Sequence, residues 1–137
     1  MTESRIKDLL RDGEACVQAE EYEEALDLYR TAVGLVPEPF AEQELSTRLL
    51  AAIGEVYWRQ RDYEKAKRAF WDVMDCPGAA QDDRIRLRRG QIALELGDEG
   101  SAVEELACAY LNTDGRIFKG EDTRYLVFIQ DAMKEDS

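Results

Sequence analysis

The sequence predicts an all-α protein: three consecutive helix pairs followed by a closing helix. Three observations carry that expectation. Laid on itself at an offset of 41, the chain sets Gly13 on Gly54, Tyr22 on Tyr63, Ala25 on Ala66 and Tyr29 on Phe70. A further shift of 36 sets Gly54 on Gly90, Asp62 on Asp98, Ala66 on Ala102 and Phe70 on Leu106. Within each copy the apolar residues step by three and four, the period of one helix face. Punctuation is sparse as well: three prolines and nine glycines in 137 residues do not suit a chain of short strands and turns.

The elements follow in order. Ile6, Leu9, Leu10, Gly13, Cys16 and Val17 mark a first helix face, and Tyr22, Ala25, Leu26, Tyr29, Ala32, Val33 and Val36 mark a second after a break at Glu20-Glu21. Leu49, Leu50, Ile53, Val56 and Tyr57, then Tyr63, Ala66, Phe70 and Val73, repeat the pair. Ile85, Ile92, Ala93 and Leu96, then Ala102, Val103, Leu106, Ala109 and Tyr110, repeat it again. Asp62 and Asp98 stand where second helices start, a position at which aspartate caps free backbone N–H groups. Pro37, Pro39 and Pro77 follow second helices as stops.

The insertions between copies fall in Phe40–Ser46 and around Cys76–Gln81. AEQELSTR reads as helical, so the second pair is expected to begin early, near Glu38, and the second insertion is read as a longer turn. A glycine-punctuated loop, NTDGRIFKGED, leads to a closing helix over 122–135 with Tyr125, Leu126, Phe128, Ile129 and Met133 on one face. Val127 lies off that face, which suggests cover on a second side. The whole chain, 1–137, is read as one domain.

Composition removes several functions. There is no histidine, so His-based acid–base catalysis, Ser-His and Cys-His pairs and imidazole-dependent zinc sites are excluded. No strand precedes a glycine-rich phosphate loop. The protein is therefore expected not to be an enzyme and to need no cofactor or metal. A net charge of −12 opposes nucleic acid and anionic membranes. MTESRIKDLL has no apolar core of a signal peptide, no run approaches the roughly 20 residues of a membrane span, and the cysteines number three. A cytoplasmic location with reduced, mostly buried thiols is expected. Charge is uneven: residues 1–47 carry −8, residues 48–90 carry +3 and residues 91–137 carry −7.

The repeated pattern resembles the tetratricopeptide repeat, a helix–turn–helix unit of 34 residues. The first copy, 6–39, matches with Gly13, Ala25, Tyr29, Ala32 and Pro37, and has Cys16 where the family has an aromatic. The second, 47–80, matches with Gly54, Tyr57, Ala66 and Phe70, with Val73 in place of an alanine and Pro77 one place early. The third, 83–116, keeps Gly90, Ala102 and Ala109. The resemblance implies an α-solenoid of three units with a capping helix. It also implies a non-catalytic adaptor, scaffold or co-chaperone-like role, with a peptide or helix of a partner protein held in a concave groove.

In the family the first helix of each unit lines that groove. Carried over, the groove positions include Lys7, Leu10, Glu14 and Val17, then Arg48, Ala52, Glu55, Trp58 and Arg59, then Arg84, Leu87, Arg88 and Gln91. Arg48, Glu55, Trp58, Arg59, Arg84, Arg88 and Gln91 are the expected partner-binding residues. Arginine holds a carboxylate by two parallel bonds, and tryptophan is enriched in binding hot spots, so a partner with acidic and apolar groups is implied. Arg84 and Arg88 match the third-unit pair of a carboxylate-clamp subgroup, but Leu10, Glu14 and Ala52 stand where that subgroup has lysine and asparagine. The plain reading of the arginines is a solvated face paired with Glu55, Asp82 and Glu95. The alternative function is a self-associating structural module, a homo-oligomer.

Overall fold

The computed structural model describes residues 2–135 and holds, among them, seven α-helices and no strand. The chain divides into two compact units, Met1–Ala79 and Ala80–Ser137. In the first, α1 (Thr2–Gln18) pairs with α2 (Tyr22–Leu35), and α3 (Glu44–Arg59) pairs with α4 (Tyr63–Asp72). In the second, α5 (Asp83–Glu95) pairs with α6 (Glu99–Thr113), and α7 (Thr123–Glu135) follows, packed on α6. The expected all-α repeat of helix pairs with a closing helix is what the chain forms.

A missing side chain sets the approach within each pair. An ideal Cβ at Gly13 would fall 2.3 Å from the ring of Tyr29, at Gly54 2.6 Å from the ring of Phe70, and at Gly90 2.6 Å from Cγ of Leu106. These are the same repeat positions in all three copies, and each partner is itself buried. Ala25, Ala66 and Ala102, which share a second repeat position, are buried completely. Burial also pushes the Tyr29 phenol up to about 12, as a ring held in the core requires. Mid-helix glycine costs about 1 kcal/mol against alanine, and the close contact offsets it.

The turn inside each pair is a second shared device. Glu20 (φ 61°), Arg61 (φ 61°) and Gly97 (φ 86°) occupy one repeat position in the left-handed region. After each comes the same backbone bond, Glu21 N–H to Cys16 O (2.8 Å), Asp62 N–H to Tyr57 O (2.9 Å) and Asp98 N–H to Ala93 O (2.8 Å). This closure satisfies helix-end carbonyls. Asp62 and Asp98 then cap the second helices through Lys65 N–H (3.3 Å) and Ser101 N–H (3.1 Å), as the sequence suggests. Glycine fills the left-handed position in one copy of three. Arg61→Gly is therefore expected to raise stability by about 0.5–1 kcal/mol, the relief of a strained φ less the entropy of a freer unfolded chain. Urea unfolding checks this, and a variant less stable than the parent would refute it.

The start of the second pair differs from expectation. Residues 38–43 do not continue a helix: a short 3-10 turn covers Phe40–Glu42, and α3 begins at Glu44. Pro37 and Pro39 supply no N–H and restrict the residues before them, so helical bonding is postponed until the prolines are passed. The turn is fastened by Ser46, whose Oγ donates to Phe40 O at 2.6 Å, and by Glu38, which accepts from Phe40 N–H at 3.1 Å.

In the second unit, Asp114 (φ 55°) and Gly115 (φ 78°) end α6, and a 3-10 turn over Arg116–Phe118 buries Phe118. α7 buries Tyr125 and Ile129, and half-buries Leu126, Phe128 and Met133. Val127 is 54% exposed, so no second covered side exists at that residue. Tyr22 and Tyr63, which open the apolar faces of their second helices, are only half-buried. Of the cysteines, Cys76 is buried, Cys16 half-buried and Cys108 exposed, so the expectation of buried thiols fails at Cys108.

Candidate functional site

The seven expected binding residues lie on two first helices in two different units. On α3, helical geometry places Arg48, Glu55 and Arg59 on one stripe. Arg48 and Arg59 are exposed, and Glu55 and Trp58 are half-buried. Arg59 Nε lies 3.5 Å from a Glu55 oxygen, as the plain reading expects. The Trp58 ring sits 5.4 Å from the ring of Tyr63, so its packing partner is the start of its own pair's second helix. The Arg48 side chain has no hydrogen bond or ion pair among the described residues.

Arg48 lines an open hollow of about 510 Å³ between the ends of α1, α2 and α3. Ile6, Val36, Pro37 and Leu45 give it apolar surface, and Lys7, Glu3, Glu42 and Glu44 ring it with charge. Lys7 is held by Glu3 at 3.1 Å. Two of the carried-over groove positions of α1, Leu10 and Val17, are buried instead of lining a wall. Both serve the helix-pair core, where their apolar surface is worth more than in an open groove.

The second unit departs furthest from expectation. Arg84 is exposed, but Arg88 and Gln91 are buried, and so is Leu87. Arg88 Nη1 donates to Gln91 Oε1 (2.7 Å) and to Glu121 Oε1 (2.6 Å), while Gln91 Nε2 donates to the same Glu121 oxygen (2.9 Å). Arg84 Nη2 stands 3.7 Å from the other Glu121 oxygen. The expected exposed wall is thus, for Arg88 and Gln91, an interior polar network. A buried guanidinium needs a carboxylate, and the segment before α7 delivers one. Burial alone would raise the Glu121 carboxyl. The bonds from Gln91 and Arg88 and the charges of Arg88 and Arg84 outweigh it and hold the group below the ordinary carboxylate value.

The other acids foreseen as partners do different work. Asp82 caps α5, accepting from Arg84 N–H (2.8 Å) and Ile85 N–H (3.2 Å). Glu95 takes Arg124 and the Tyr125 hydroxyl (2.6 Å), which ties α7 to α5. Sequence reasoning missed Glu121. It sits in a polar, glycine-flanked loop, and such an acid reads as solvated; the signal available was only that Arg84 and Arg88 have no acid three or four places away on their own helix.

Cys16 and Cys76 are not set up as nucleophiles. Burial, with Glu21, Glu24 and Asp12, pushes Cys16 up, and burial with Asp75 and Asp72 does the same to Cys76, the opposite of an activated cysteine. Cys16, Glu21 and Glu24 bring possible metal donors within 4.8 Å of one another, with both glutamates exposed. A hydrogen bond with Glu21, then its charge, raises the Glu24 carboxyl. No helix among the described residues is long and apolar enough to cross a membrane.

Compared with known proteins, the chain matches the family model of the tetratricopeptide repeat over residues 47–70, a span that holds most of α3 and the buried Phe70 of α4. No curated protein matches the chain. The matched repeat is a protein-interaction fold and generally a non-catalytic one.

Proposed function

From a chain that carries a tetratricopeptide repeat, we propose a non-catalytic interaction module that takes a peptide or helix of a partner protein on the exposed face of α3 and the adjoining hollow. The observation that carries this reading is Arg48, an exposed guanidinium without an ionic partner among the described residues, at the edge of a hollow with mixed apolar and charged walls. Such a site favours a segment with a carboxylate for Arg48 and an apolar side chain for Pro37 and half-buried Leu45. Trp58 and Arg59 extend the surface along α3. A cytoplasmic setting belongs to the same reading, in keeping with three free cysteines.

The test is capture of partners with the full chain as bait, followed by calorimetry. Arg48→Glu is expected to weaken binding about tenfold or more, with the helical circular dichroism unchanged. Added salt weakens the parent's binding, since exposed charges are screened within about 8 Å at physiological ionic strength. Equal affinity of the parent, Arg48→Glu and Trp58→Ala would sink the assignment. A second reading, self-association, draws on Leu111 (67% exposed) and Val127 (54% exposed) in the second unit. Sedimentation over a range of concentrations separates the two: a monomer throughout removes it.

A further inference from the structure

We infer that a second copy of this chain docks on the α3–α4 face opposite the proposed peptide surface, its exposed Leu111 seated in an apolar hollow between cations and its Glu104 and Asp114 meeting those cations. The inference rests on the self-association reading given above and names its surfaces; the peptide reading of Arg48 does not depend on it.

The receiving side is built on α3 and α4. Helical geometry puts Leu50, Ile53 and Tyr57 on the side of α3 away from Arg48, Glu55 and Arg59. All three are half-buried and, with Ala69 of α4, line a hollow of about 230 Å³. Its rim is mostly cationic. Lys65 and Arg68 line it from α4, and Arg30 reaches it from α2, its Nη2 donating to the Tyr57 hydroxyl at 2.9 Å. Asp72 is the one acid in the lining. The Arg68 side chain has no hydrogen bond or ion pair among the described residues, and the ion pairs of Lys65 with Asp62 and of Arg30 with Asp27 are long, 3.9 and 3.8 Å. Exposed pairs of that kind hold their members weakly, so all three cations are open to outside acids.

The entering side is α6. Leu111 is the most exposed large hydrophobic residue among those described. Glu104 lies seven positions before it and Asp114 three after, which sets all three on one side of the helix and its cap. Both acids are exposed, and neither side chain has a hydrogen bond or ion pair among the described residues. The order acid, leucine, acid along α6 mirrors the order cation, hollow, cation from α2 to α4. Two copies of a chain with net charge −12 repel in general, and matched patches of this kind are what bring them into register. The two surfaces differ, so the contact is heterologous and every copy offers both halves of it.

Sedimentation of the full chain over a range of concentrations tests this. The parent is expected to associate, and R68E and E104R each to raise the dissociation constant about tenfold or more, with the helical circular dichroism unchanged. The sign of the second variant is diagnostic. E104R exchanges one negative charge for one positive and so moves the net charge from −12 to −10, which by general repulsion alone would strengthen association. Mixed in equal amounts, the two variants are expected to associate again, because R68E keeps the α6 face and E104R keeps the hollow. A parent that is monomeric throughout would overturn the inference and the self-association reading together. A parent that associates while both variants match it, or a mixture no stronger than its components, would overturn these surfaces alone.

Discussion

Replacing Arg88 with alanine is expected to cost about 3–5 kcal/mol of stability, because it strands a carboxylate and an amide that the fold has taken out of water. Glu121 is 14% exposed and Gln91 fully buried beside the intact Arg88, and exposed Arg84 is the remaining cation, which sets the loss toward the lower end. Urea unfolding measures it, and a loss under about 1 kcal/mol would show that the network is decorative. The pH dependence has a definite sign. The Glu121 carboxyl lies below its ordinary value in the folded chain, so its contribution is complete above the unfolded value of about 4.3. It is lost as pH falls below that value and through the folded pKa. The parent therefore loses stability in that acid range faster than Arg88→Ala does.

Gly54→Leu is the second large effect, a loss of about 1–3 kcal/mol or more. Leucine gains helix propensity of about 1 kcal/mol over glycine, which acts in the opposite direction. Packing decides the outcome: the first added carbon already stands 2.6 Å from the ring of Phe70, which is 2% exposed and has no room to retreat. Gly34 is the internal control. It lies in α2 with nothing within 4 Å of an added Cβ, so Gly34→Ala should stabilise the protein by the propensity term alone. Two glycine replacements of the same sign in denaturant midpoint would refute this account.

The helices were legible because their information is local and periodic. Gly13, Gly54 and Gly90, the buried alanines and the Asp62 and Asp98 caps keep one spacing within each copy, and that spacing assigns them. The first residues of α3 were misread because AEQELSTR has helical composition, whereas the prolines just before it decide where helical bonding begins. The candidate site was read only in part. Arg48, Arg59 and Arg84 are exposed as expected, and Trp58 and Glu55 are half-buried. Arg88 and Gln91 escaped because periodicity describes a helix's own faces and not what a later segment lays over them. Glu121 arrives from 33 positions downstream of Arg88, across a loop whose course no local pattern encodes.

The left-handed turn has a consequence for how such a chain tolerates change in length. Gly13 and Glu20, Gly54 and Arg61, and Gly90 and Gly97 are each seven positions apart, although the copies themselves are offset by 41 and then 36 residues. All the variation in length therefore falls outside the pairs, in the segments near Phe40–Glu42 and Ala79–Gln81. A helix turns once in 3.6 residues, so one residue inserted between Gly54 and the turn would rotate the glycine about 100° away from Phe70. The pair behaves as a reading frame: it admits additions at its borders and none within, and the handed turn keeps its two helices in phase.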